Sequence, residues 1–140
     1  MCWLKQSPPD MLRYVIQYKF SILLAILIAL LSLAPASKFP TVSIWYIPYI
    51  DKIVHMTMYA SIGFVALCES RCQRQCIGFH ILVSFILFLV SALIEVLQAT
   101  VVSSRGAEWY DLLANFLGLL AGYTAFRLIG GWRIFRFLKG

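Results

Sequence analysis

Long apolar runs alternate with short polar stretches along this chain, and the polar residues gather at the edges of the runs. No charged side chain lies between Lys19 and Lys38, and formal charge is again missing from 53–68, 75–94 and 112–126. Runs of this character read as membrane spans, because about 20 apolar helical residues cross the roughly 30 Å hydrocarbon core. The pattern predicts four transmembrane helices, at about 20–36, 53–69, 76–97 and 111–128. They must be helices, since hydrocarbon offers the backbone no hydrogen-bond partners. Pro35 and Pro40 end the first.

The expected fold class is therefore all-α: one membrane domain over 1–140, a bundle of four spans with a short interfacial helix at each terminus. PPDMLRYVIQYKF, with Asp10 as a helix cap, and GGWRIFRFLKG both mix basic and aromatic residues in the manner of surface anchors. At 61% hydrophobic and 13% charged, the chain falls outside the range of ordinary soluble domains. A net charge of +6 is compatible with nucleic-acid binding, but the basic residues flank the apolar runs, where they meet anionic headgroups. Membrane lipids are the expected partner and nucleic acid is not.

With both termini in the cytosol, nine Lys and Arg residues lie inside and three outside, namely Lys38, Lys52 and Arg105. The positive-inside rule favours that orientation, in the cytoplasmic membrane of a bacterium. A competing reading takes residues 1–36 as a cleaved signal peptide, because Ala34-Pro35-Ala36 resembles a cleavage site. It leaves three spans and the same outward-facing ends.

Within this apolar background the polar residues stand out. Asp51, His55 and Tyr59 are four apart and share one face of the second span. Glu95 and Gln98 share a face at the end of the third, and Asp111 and Asn115 at the start of the fourth. Ionisable groups at membrane depth face the bundle interior and mark sites. All of these fall at the outward ends of their spans, together with Lys52 and Arg105.

The segments DKIVHMTMY, IEVLQ and SSRGAEWYDLLANFLGLLAG carry a further signal. In this order they resemble the VanZ-like family: Asp-Lys-x-x-His, Glu-x-x-Gln, an Arg in the following loop, then Asp-x-x-x-Asn with glycines after it. The resemblance covers roughly 51–122, and LSLAP is similar to the end of the family's first span. It implies a small integral membrane protein related to one that confers low-level teicoplanin resistance, and it implies no reaction.

From the residues themselves, His55, Glu95 and Asp51 are the candidates for proton transfer, since histidine exchanges a proton near neutral pH. Lys52, Tyr59, Gln98, Arg105, Asp111 and Asn115 are the candidates for holding a ligand. The fixed charges of Lys52 and Arg105 suit a phosphate or carboxylate, such as a lipid-linked cell-wall precursor. Three functions follow: an enzyme at the membrane surface, a non-catalytic envelope binder, or a small proton-coupled transporter. The last is least favoured, because the inner halves of the spans carry no polar line. The bland alternative is a closed polar network that glues the bundle.

Gly118 and Gly122 form a small-residue stripe for close helix packing, within the bundle or in a homodimer. Cys68, Cys72, Cys76 and His80 recur every four residues, yet on one straight helix they span about 18 Å and cannot share zinc. The cysteines read as reduced thiols, His80 as an interfacial histidine, and no metal or cofactor is expected.

Overall fold

The computed structural model describes residues 11–34, 49–70, 77–101 and 109–129. Every regular element among them is helical: α1 (Met11–Gln17), α2 (Lys19–Leu33), α3 (Ile50–Glu69), α4 (Ile77–Val101) and α5 (Trp109–Ile129). Asp10, Arg105 and the tail 130–140 lie outside the described residues. α3, α4 and α5 are each long and apolar enough to cross a membrane. α2, at 15 residues, covers only about 22 Å of the roughly 30 Å needed. It reaches the length of a span only together with α1, from which it is bent by 74°. The described residues thus hold three candidate spans, or four if the bent pair counts as one.

A single side chain accounts for the bend. The Glu69 carboxylate, at the end of α3, accepts from the Phe20 and Ser21 backbone N–H groups, each at 2.9 Å, and from the Ser21 hydroxyl. The Gln17 side chain donates to the Glu69 carbonyl oxygen at 3.3 Å. Those two N–H groups would otherwise pair with carbonyls one turn back, in α1. A side chain inserted into the helical ladder is a standard cause of a sharp kink. Glu69 also supplies negative charge to the α2 N-terminus, where the helix dipole favours it.

α3 and α5 form the most extensive helix contact of the fold. They run parallel, since Lys52 meets Asp111, His55 meets Asn115 and the backbone at Ala60 meets Gly122 in steady register. Gly118 and Gly122 make this approach possible: a Cβ at the first would collide with the Met56 carbonyl oxygen, and at the second with that of Ala60. Gly63 reciprocates from α3, facing Leu119. The small-residue stripe is filled by α3 of the same chain. With no water to squeeze out between helices in lipid, such backbone proximity supplies the dispersion contacts that hold them together.

α4 runs antiparallel beside this pair, placing Ser91 and Glu95 at Asn115 and His80 at Phe126. α2 closes the bundle through Ile28, which joins Tyr59, Ile62 and Leu119 in a buried apolar cluster flanked by Leu24, Leu87 and Phe88. On the other side of the helices Leu23, Leu30, Phe85, Leu93, Leu113 and Leu120 stay exposed, as a lipid-facing surface requires.

Gly118→Ala is expected to destabilise the bundle by about 1–3 kcal/mol, the usual range for overpacking a tight contact. Gly78→Ala, where an added Cβ meets nothing within 4 Å, is expected to be neutral or slightly stabilising. Reversible unfolding in mixed detergent micelles reads the difference, and equal effects at both positions would show that the α3–α5 approach is not tight.

Candidate functional site

The parallel α3–α5 pair and the antiparallel α4 bring the start of α3, the end of α4 and the start of α5 to one end of the bundle. Asn115 sits at their junction and is fully buried. Its Nδ2 donates to Ser91 Oγ at 2.9 Å and lies 3.3 Å from Glu95 Oε1, while its Oδ1 lies 3.1 Å from His55 Nδ1. His55 Nδ1 is also 3.5 Å from Glu95 Oε1. One amide therefore ties three helices, and both of its ends are used.

The pairing fixes proton positions. With Nδ2 donating to a hydroxyl and a carboxylate, the Asn115 oxygen is an acceptor, so His55 Nδ1 carries a hydrogen. The reverse orientation of the amide would set its oxygen against the Glu95 carboxylate. His55 Nε2 then points the other way, toward Asp51 Oδ1 at 3.9 Å.

Deeper on α3, Tyr59 is buried and shares a side-chain hydrogen bond with Ser91, within electrostatic range of Glu95. Toward the rim, Lys52 forms an ion pair with Asp111 and lies 3.9 Å from Asp51 Oδ2. Asp111 is buried at the first turn of α5. One donor atom each from Asp51, His55 and Asp111 lies within 4.8 Å of the others. Gln98, also buried, presents an Oε1 that accepts no hydrogen bond from the described residues.

The structure thus brings together Asp51, Lys52, His55, Tyr59, Glu95, Asp111 and Asn115, with Gln98 buried one turn beyond Glu95. Arg105 lies outside the described residues. Among the described residues, three carboxylates face one lysine at this end of the bundle. A network of this composition can relay a proton between His55 and Glu95, hold a polar ligand at the rim, or bind a cation.

Ser91 was not among the residues singled out from the sequence. It lies four positions before Glu95 on the same helical face, and that spacing is the signal that finds it. A serine in an apolar helix otherwise reads as a filler that bonds its own backbone, as Thr57 and Ser61 do with Ile53 and Thr57. At the opposite end, His80 is fully buried rather than interfacial, with rings of Phe126 and Tyr123 centred 5.2 and 6.1 Å away. The first turn of α4 packs onto the last of α5, so proximity to the membrane boundary does not expose it. Cys68 is a half-buried free thiol, while Cys72 and Cys76 lie outside the described residues.

A family model described as VanZ/LLP1 matches residues 12–130, which covers every helix except the first residue of α1. No curated protein and no solved structure matches the chain.

Asn115→Ala would leave Ser91, Glu95 and His55 short of buried partners, at a cost of about 1–3 kcal/mol for each group left unsatisfied. Tyr110→Ala, at an exposed position of the same helix, serves as the control. Thermal unfolding in detergent should show a lower midpoint for the Asn115 variant alone, and matching midpoints would argue against a junction role.

Proposed function

The chain belongs to the VanZ/LLP1 family, and from that premise we propose that it is a multi-pass protein of the bacterial cytoplasmic membrane whose outward-facing polar pocket handles an anionic, lipid-linked component of the cell envelope. Both termini lie in the cytosol in this reading, supported by the excess of Lys and Arg in the segments that would then be inside. The observation that carries it is the meeting of His55, Glu95 and Asn115 from three helices at the end that orientation turns outward. Buried polar groups at such a depth are hard to accommodate in lipid, and a ligand-handling role gives a reason for so many in one place.

In this reading the ligand is an amphiphile whose apolar chain stays in the bilayer beside the helices while its charged head reaches the polar end. Arg105 and Lys52 offer positive charge to a phosphate or carboxylate. Turnover would place the proton on His55 and Glu95, with Asn115 and Tyr59 orienting them. Without turnover the same pocket shields or presents the envelope component, and a contribution to glycopeptide resistance, of the kind associated with teicoplanin, follows from either version.

The two versions separate by mutation in a teicoplanin-susceptible host expressing the protein. If the pocket catalyses, His55→Ala and Glu95→Gln each abolish the rise in inhibitory concentration while the co-purifying lipid, identified by mass spectrometry, is retained. If it only binds, Arg105→Ala loses both the lipid and the phenotype, and His55→Ala is mild. Equal loss of folded protein in all three would show that the network only glues the helices, and an unlabelled cysteine at position 103 with an external thiol reagent would reverse the orientation.

A further inference from the structure

We propose that Asp51, His55 and Asp111 form a binding site for one divalent first-row metal ion, with Mn²⁺ or Zn²⁺ the best match to its donors. Asp51 and His55 stand four apart on α3, a spacing that aims two side chains at the same point beside a helix. Asp111 arrives from the first turn of α5, carried there by the glycine-mediated parallel packing. The three donor atoms lie within 4.8 Å of one another, a spread one central ion can bring to bonding distance with small rotamer changes.

The imidazole supplies the second line of argument. His55 is only 5% exposed. Because Asn115 Oδ1 accepts from Nδ1, the ring turns Nε2 toward Asp51, whose Oδ1 lies 3.9 Å away, beyond hydrogen-bonding distance. Two carboxylates beside this nitrogen, one buried and one about a third open, make the point attractive to a cation. An outer-shell partner that fixes the tautomer of a histidine is the usual support of a metal ligand, and Asn115 with Glu95 behind it has that position here.

Lys52 shows that the point attracts a cation, since its ammonium reaches both Asp111 and Asp51. Its long stem lets the head swing out to the rim when an ion takes its place. One imidazole and two carboxylates are harder than a thiolate site and softer than an all-oxygen one, which selects Mn²⁺ or Zn²⁺ over Ca²⁺. Three protein donors also leave positions open for water or an anionic headgroup. The metal site stands whether or not the proposed envelope ligand is correct, because it is defined by the protein alone.

The test uses the full chain in lipid nanodiscs, washed with chelator and titrated with Mn²⁺ followed by electron paramagnetic resonance. Mn²⁺ is chosen because thiolates bind it poorly, so the cysteines do not compete. We expect one ion per chain, bound at least about tenfold more weakly by Asp51→Asn, His55→Gln and Asp111→Asn, a loss that even outer-shell changes produce. Lys52→Met should bind more tightly, because the internal competitor is gone, and that gain cannot arise from misfolding. Mn²⁺ should also raise the unfolding temperature of the unaltered chain. A folded, unaltered chain that takes up no Mn²⁺ would overturn the proposal, as would equal binding by the Asp51→Asn/Asp111→Asn double variant.

Discussion

The backbones of α3 and α5 must touch for this molecule to have a polar end at all. Helices in lipid gain little from excluding apolar surface, so their association rests on dispersion at short range and on interhelical hydrogen bonds. Gly118 and Gly122 remove the side chains that would hold the helices apart, and the carbonyl oxygens of Met56 and Ala60 fill the space. One turn above, the same closeness brings His55 to Asn115, and at the rim Lys52 to Asp111. The packing and the chemistry are thus one arrangement read at two depths.

That arrangement accounts for the polar groups a bilayer should reject. Burying an unpaired amide or hydroxyl costs a few kcal/mol, and a charge much more. Asn115, Ser91, Tyr59 and the His55 ring nitrogen that faces them are joined in a network across three helices. Towards the rim the network is more open: Asp51 keeps about a third of its side-chain surface exposed, and Gln98 has an oxygen without a donor among the described residues. The closed part of the network fixes the helices, and the open part is where we propose that a ligand or ion binds. The opposite end is built for structure, with Glu69 holding the α1–α2 bend and His80 packed among rings.

The long helices were legible because each run is apolar for longer than any loop tolerates, and the polar faces because helical spacing puts residues 51, 55 and 59 in line. The family signature was legible for the same reason, since its residues sit on those faces in order. Less could be seen of α2, whose apolar run looks like a complete span. Its short helical length depends on Glu69, some fifty positions away, and no local pattern encodes a carboxylate inserted into a distant ladder. Ser91 was missed for a related reason: a serine has no outward sign of whether it bonds its own turn or a neighbouring helix.

The sequence by itself determined that the chain is helical and suited to a membrane, which residues share a face, and that the polar faces lie at one end of their helices. Those properties follow from period and solvent, which act on each segment separately. Only the tertiary structure decided which faces meet: that the glycine stripe serves α3 of the same chain, that Asn115 joins His55 to Ser91 and Glu95, and that Lys52 turns to Asp111. A helix presents its face to whichever neighbour fits, and fit is a property of two surfaces in space that neither segment carries alone.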